Sequence, residues 1–335
     1  MENQITSRSN TLSKIPLIVL TGPTAVGKTE LSIELAKAID GEIISADSMQ
    51  VYRRMDIGSA KITVSEMQGV RHHLIDILEP TQEFNIIQFQ TLAKQAIIDI
   101  HSRQHIPIIT GGTGFYIQSL IYDTDFEEHD EKSDYRRQLE AISNEDGGVH
   151  RLHEMLMEID SEYAKSTHEN NVRRVIRALE FYHETGRKLS EHNEAERSKS
   201  SPYRFAYFVL TDQRQEIYRR IDQRVDIMLN NGLLAEVEGL KNEGLTLDHL
   251  SMQGLGYKEI YRYLNGEITL DEAIYIIKRD TRHFAKRQLT WFRREKEVIY
   301  IDKSEYKSDG ALTKNERILE YILNTLQEME IITCN

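Results

Sequence analysis

Gly22-Pro23-Thr24-Ala25-Val26-Gly27-Lys28-Thr29 has the spacing G-x-x-x-x-G-K-[ST], a spacing made for phosphate. Its glycines let the backbone turn so that successive N–H groups face phosphate oxygens, at the positive end of the helix that follows. Lys28 brings a compact charge to the terminal phosphates, and the Thr29 hydroxyl suits a Mg2+ ion. The spacing leaves the ligand open between a nucleoside triphosphate, such as ATP, and a diphosphate. Asp47 follows an apolar run and can serve as a general base; a Mg2+ ligand or a helix N-cap are equally open readings of a carboxylate there. Thr113 lies in a second glycine-rich stretch, Gly111-Gly112-Thr113-Gly114, and either meets substrate or simply completes a turn. Arg220 and Arg224 are four apart and share a helix face, although Asp222 and Asp226 would also make that face a solvated charged one. Gln50 carries the amide needed for a bidentate base contact, against the ordinary reading of a loop amide.

These groups need a scaffold, and the hydrophobic pattern supplies one. Pro16–Leu20 is a continuous apolar run, as expected for a strand buried on both faces. Leu31, Leu35 and Ala38 then follow at helical spacing. Glu42–Ala46 reads as a second strand, His73–Ile77 as a weaker third, and Ile106–Thr110 as another. Asn85–Gln104 has the apolar stripe of an amphipathic helix. Strands alternating with helices imply a parallel sheet with ligands beyond its C-terminal strand ends, where both glycine-rich loops fall. From Asp125 to Ser200 the pattern turns helical and strongly charged, with nineteen acids against twelve Lys/Arg. A strand returns at Phe205–Leu210, followed by helices over Gln215–Lys241, Tyr257–Leu264 and Asp271–Arg294 and a short strand at Val298–Ile301. The expected fold is α/β, a P-loop NTPase-like parallel sheet with an all-helical insertion. Its expected bounds are 14–124 for the first part of the core, 125–200 for the insertion and 201–330 for the rest.

The chain has 335 residues and a formal net charge of −12. That excludes a general polycation, and no apolar run approaches the ~20 residues a membrane helix needs. The polar start, MENQITSRSN, lacks the apolar stretch of a signal peptide. Cys334 is the only cysteine, which rules out internal disulfides and cysteine zinc sites. A cytoplasmic monomer is expected. Locally the charge reverses: Lys278–Lys296 carries eight Lys/Arg against two acids. On a helix Arg279, Arg282, Lys286 and Arg293 share one side, which could follow a phosphate backbone or stand solvated, and Phe284, Gln288 and Trp291 form a core stripe. Arg173, Arg174 and Arg177 make a second basic knot, with Arg136 and Arg137 a third. His72 and His73 read as structural.

With the phosphate loop, five further stretches occur in order: Asp47–Tyr52, Met55–Lys61, His72–Asp76, Gly111–Gly114 and Arg173–Glu180. Gly254-Leu255-Gly256-Tyr257 and Lys286-Arg287-Gln288-Leu289-Thr290-Trp291 complete the set, which resembles the tRNA dimethylallyltransferases. The resemblance runs from Gly22 to Trp291. It implies transfer of a dimethylallyl group from its diphosphate to N6 of the adenosine beside the tRNA anticodon (position 37), with Mg2+. It further implies that Asp47 is the base, that Lys28 and Thr29 serve catalysis within a diphosphate cradle of Gly22–Thr29, and that Arg220 or Arg224 assists the diphosphate. For tRNA it implies Asp47, Ser48, Met49, Gln50 and Thr113 near the target base, and Arg136, Arg173, Arg174, Val175, Ile176 and Arg177 in the insertion. Gly254, Gly256, Tyr257, Lys286, Arg287 and Trp291 complete that set. The chain is expected to match the shorter bacterial form, without the zinc finger of some eukaryotic members.

The chemistry required agrees with these parts. A diphosphate leaving group needs a phosphate cradle and a divalent cation, and positive charge developing on an allylic carbon needs a dry, apolar pocket. Three other readings stay open on sequence: prenylation of free adenine nucleotides, a small-molecule kinase using ATP, and an RNA-binding module without catalysis.

Overall fold

The computed structural model describes residues 14–126, 133–308 and 311–332; the N-terminal decapeptide and Cys334 lie outside them. Six strands form one parallel sheet: β1 (Ile15–Thr21), β2 (Gly41–Ala46), β3 (His72–His73), β4 (Ile106–Gly111), β5 (Tyr203–Thr211) and β6 (Val298–Asp302), in the order β3-β2-β4-β1-β5-β6. Leu17, Ile18, Val19 and Leu20 of β1 are all fully buried, since helices cover both faces of a parallel sheet. The helices of the first part are α1 (Lys28–Ala38), α2 (Val64–Met67), α3 (Ile86–Ser102) and α4 (Gly114–Ile121).

The path of the chain decides where chemistry can occur. After β1 it passes over one strand position to build β2, returns to place β4 between them, and later sets β5 on the other side of β1. The loops after β1, β4 and β2 therefore open side by side at a point where the strand order reverses, the usual place for a ligand. The register tightens this: Thr21 pairs with Gly111, and Gly111 with Ala46. Gly22, Gly112 and Asp47 thus leave the sheet from one row. Gly111 has no space for a side chain, because a Cβ there would lie 2.3 Å from the Ala46 carbonyl oxygen.

Residues Tyr122–Ser201 form a separate compact unit, helical throughout its described residues. It comprises α5 (Asp134–Ser143), α6 (Gly148–Ile159), α7 (Ser161–Ser166), α8 (Val172–Thr185) and α9 (Leu189–Ser198). Its core gathers Leu139, Leu152, Leu156, Val175, Ile176 and Leu179. The sequence resemblance gave Val175 and Ile176 to RNA, but α8 turns both inward, 0% and 3% exposed, so their side chains build the core. Arg173 and Arg174, on the opposite face of the same helix, are exposed. Arg136 is also reassigned: its guanidinium donates to Glu180 at 2.8 Å and to Glu140 at 3.0 Å, which ties α5 to α8.

The remaining helices are α10 (Arg214–Asn230), α11 (Leu233–Asn242), α12 (Tyr257–Leu264), α13 (Leu270–Phe292) and α14 (Lys314–Glu328). Ile318, Ile322 and Leu326 of α14 join Leu31 and Leu35 of α1 in the core on one face of the sheet. Two expectations change. The helix expected over Gln215–Lys241 breaks at Asn231–Gly232, where Gly232 takes a φ of +100° that ends one helix and starts the next. The third strand shrinks to His72–His73, because Leu74 and Asp76 adopt positive φ and turn the chain away from the sheet. His73 then pairs with the buried Glu42 at 2.6 Å.

Candidate active site

The phosphate loop is shaped by its glycines and closed by its own lysine. Gly27 holds a φ of +93° at the start of α1, and the Lys28 ammonium donates to the carbonyls of Gly22 and Pro23, both at 2.9 Å. Burial and the nearby Arg224 guanidinium hold the Lys28 ammonium down to about 7, with Asp47 pulling the other way. Val26 is fully buried, so its contribution to a ligand is its backbone alone.

Asp47 emerges from β2 and caps the next turn. Its Oδ1 accepts from the backbone N–H of Met49 at 2.8 Å and of Gln50 at 3.3 Å, which leaves Oδ2 for another partner. On α10, Arg224 carries the opposite charge, and among the described residues no ion pair or hydrogen bond engages it. Desolvation lowers its pKa and the Asp47 carboxylate partly restores it.

Two cavities meet at these groups. One, of about 480 Å3, is lined by Lys28, Thr29, Gln50, Asp56 and Lys61 and takes in the phosphate loop's one cation, Lys28. The other, of about 530 Å3, is walled mainly by apolar side chains, among them Tyr52, Phe84, Tyr116, Ile221, Val225 and Leu255. Thr24, Asp47, Gly112, Arg224, Met228, Phe284 and Gln288 line both. A carboxylate and a guanidinium therefore stand where a charged chamber passes into an apolar one.

Comparison with known proteins bears on this arrangement. The sequence matches the model of the family described as IPP transferase over residues 50–295. The chain belongs to the IPP transferase family. It is 54% identical over 317 residues to a tRNA dimethylallyltransferase of Lachnoclostridium phytofermentans, covering 95% of this chain and 99% of that one. Its fold is similar to a full-length tRNA isopentenylpyrophosphate transferase from Bacillus halodurans, with a TM-score of 0.70 at 45% identity, over 95% of this chain and 98% of the other. A eukaryotic dimethylallyltransferase solved acting on tRNA matches with a TM-score of 0.75 at 28% identity, over 93% of this chain and 80% of its own.

In this member of the IPP transferase family the residues singled out from sequence divide into three groups. Asp47, Ser48, Met49, Thr113, Gly254 and Arg287 line the apolar chamber, and Lys28 and Thr29 line the charged one. Gln50 also faces the charged chamber, with its amide already engaged: its oxygen accepts from Ser45 Oγ at 3.2 Å and its nitrogen donates to Ala60 O at 3.3 Å. That pairing holds the amide in place and leaves one lone pair on the oxygen and one N–H on the nitrogen. Arg220 lines neither chamber and is held by Asp212 at 3.2 Å and Glu216 at 3.0 Å, so Arg224 alone of the pair faces the site. Tyr257 is fully buried, with its ring against Gly58, and Gly256 starts α12 at a φ of +95°. Trp291 packs against Gly114, and its ring lies edge-on to Phe115, 5.8 Å between centroids. Gly256 and the buried Tyr257 build the scaffold, and Trp291 is half-buried. Lys286 is exposed on α13.

A Mg2+ ion fits the donor set in one way. Among the described residues no three His, Cys, Asp or Glu side chains are grouped to hold a metal, whereas Thr29 presents a hydroxyl in the charged chamber. That suits an ion held by substrate phosphate oxygens and waters plus one protein oxygen, as Mg2+ prefers.

One residue of the site went unrecognised in the sequence. Gln288 lies in the buried stripe of α13, where its Oε1 accepts from Thr24 N–H and its Nε2 donates to Gly112 O, both at 2.9 Å. It staples the two glycine-rich loops together. The available signal was an amide in an apolar stripe, since a buried amide needs partners. Gln288→Ala is expected to lower kcat/KM for the donor about 10- to 100-fold, the effect of losing two buried hydrogen bonds. Steady-state kinetics with a single varied donor checks this.

Proposed function

We propose that this protein transfers a dimethylallyl group from dimethylallyl diphosphate to N6 of adenosine 37, beside the anticodon of tRNA. The observation that carries the reading is the placing of Asp47 and Arg224 at the junction of a phosphate-binding chamber and an apolar one. The diphosphate occupies the charged chamber against the loop's N–H groups, Lys28 and Arg224. The prenyl chain lies in the apolar chamber, whose walls exclude water from the reactive carbon, and the adenine enters that chamber from the side of Ser48, Met49 and Thr113.

The exocyclic amine is a poor nucleophile because its lone pair is delocalised into the ring. As N6 bonds to C1 of the allyl group, the C1–O bond breaks and its electron pair leaves with the diphosphate. The N6 proton passes to the Asp47 carboxylate, whose Oδ1 is fixed by the Met49 and Gln50 N–H groups so that Oδ2 is aimed at the chamber. Lys28 and Arg224 hold the charge that develops on the departing oxygen. A Mg2+ ion bound through Thr29 would add Lewis-acid stabilisation of the same leaving group.

Arg173 and Arg174 of the helical unit are exposed cations suited to RNA phosphates; so, in the α/β unit, are Lys286, Arg287, Arg293 and Arg294 at the end of α13. Tight binding is thus expected to be salt-sensitive. Log affinity for tRNA, measured by filter binding, should fall steeply with log salt, and Arg173→Glu/Arg174→Glu should flatten that slope by about two. The same reading has the protein act as a cytoplasmic monomer.

The function is tested by offering labelled dimethylallyl diphosphate and Mg2+ with either tRNA or AMP, and γ-labelled ATP in parallel. Label entering tRNA is expected. Label entering only AMP would make the protein a nucleotide prenyltransferase, phosphate transfer from ATP a kinase, and tRNA binding with no transfer a binding module.

A further inference from the structure

Loop 55–61, Met55-Asp56-Ile57-Gly58-Ser59-Ala60-Lys61, is the wall that both chambers share. Gly58 and Ser59 line the apolar chamber, and Asp56, Ile57, Ala60 and Lys61 the charged one. It has neither helix nor strand of its own. Ala60 N and Lys61 N turn back onto the loop's own Ile57 and Asp56 carbonyls, which leaves the N–H groups of Asp56, Ile57 and Gly58 in need of partners from elsewhere. One side chain supplies them. Glu236, on α11, accepts from Asp56 N at 2.9 Å and Ile57 N at 2.8 Å through Oε2, and from Gly58 N at 3.0 Å through Oε1. The fully buried Tyr257 donates its hydroxyl to the same Oε1 at 2.7 Å. Its ring fills the space beside Gly58, where a Cβ would lie 2.5 Å from Cζ. Lys61 fixes the far end of the loop, donating to Tyr52 O and to Asp56 Oδ1, both at 2.6 Å.

We propose that Glu236 is a positioning residue for the transfer, with Tyr257 as its buried support. It lines neither chamber. It acts by holding three consecutive N–H groups of the shared wall, and through Ala60 O the wall reaches Gln50, next to the Asp47 turn. A carboxylate is the fitting anchor because its two oxygens accept four hydrogen bonds at once. This inference rests on the function proposed above. It assigns Glu236 to the rate of the chemical step, because the phosphate cradle of Lys28, Arg224 and the loop Gly22–Thr29 does not depend on it.

The test uses the full chain with Glu236→Ala, Glu236→Gln and Tyr257→Phe, and three readouts: amide hydrogen exchange, binding of inorganic diphosphate, and single-turnover transfer at saturating donor and tRNA. In Glu236→Ala the amides of Asp56, Ile57 and Gly58 should exchange at least tenfold faster and transfer should slow at least tenfold. Diphosphate affinity should stay within about threefold of wild type. Glu236→Gln keeps one acceptor oxygen and should fall between, which also covers the case where the alanine variant does not fold; Tyr257→Phe should be milder still. Unchanged exchange at residues 56–58 would overturn the anchor. Faster exchange with undiminished transfer would overturn the positioning role. Wild-type protein that transfers nothing to tRNA would instead refute the proposed function, and the exchange result would still decide whether Glu236 holds the loop.

Discussion

Asp47→Asn should slow transfer about 100- to 10,000-fold, the range spanned by a positioned general base, with tRNA affinity unchanged. The substitution is chosen because Asn keeps an oxygen where Oδ1 accepts from Met49 and Gln50, so the turn survives; Asp47→Ala would also lose that cap, worth roughly 1 kcal/mol. Diphosphate binding separates the possible roles of this carboxylate. As a base facing a polyanionic leaving group, Asp47 opposes diphosphate in the ground state, so Asp47→Asn should bind inorganic diphosphate as well as wild type or more tightly. Weaker Mg2+-dependent diphosphate binding would instead make Asp47 a metal ligand. Near-normal turnover would remove it from catalysis altogether.

Arg224→Gln and Lys28→Met should each weaken donor binding strongly, by about 30- to 1,000-fold in kcat/KM, as expected for a partly desolvated cation opposite a phosphate. Both should also raise the melting temperature of the free protein. Lys28 and Arg224 are like charges withdrawn from water; burial disfavours the ionised form of each, and Arg224 further disfavours that of Lys28. Lys28 has a folded pKa of about 7 against its ordinary 10.5, so its charge destabilises the fold in full below about pH 7. The penalty fades as pH rises toward 10.5. The gain in melting temperature from Lys28→Met should therefore be largest at or below neutral pH and shrink above it, as thermal scans across pH would show. Added diphosphate should stabilise the wild type and not the variants. Such a site trades stability for affinity.

Much of this was legible from local pattern. The phosphate loop, β1 and the helix that follows are contiguous, and the apolar runs at Pro16–Leu20 and Ile106–Thr110 place both glycine-rich loops at strand ends without any long-range information. Asp47 was legible for the same reason. What stayed hidden depends on partners far along the chain. Gln288 looked like core until α13 placed it against Thr24, 264 residues away. Arg136 looked like an RNA contact until Glu180 neutralised it. The basic stretch Lys278–Lys296 is less cationic than it reads, because Lys278 pairs with Asp226 and Arg282 with Asp222, both from α10. Helical spacing put Arg220 and Arg224 on one face but could not say that Asp212 would claim the first. Glu236 carries no sequence signature at all, being one acid among many on a helix.

The most direct measurement is a single turnover with dimethylallyl diphosphate labelled in both the allyl group and the diphosphate, at saturating tRNA, followed by digestion of the RNA to nucleosides. The account predicts one allyl group gained per diphosphate released, all of it as N6-dimethylallyladenosine from position 37. Diphosphate release without allyl in the RNA, or allyl recovered on any other atom, would contradict it.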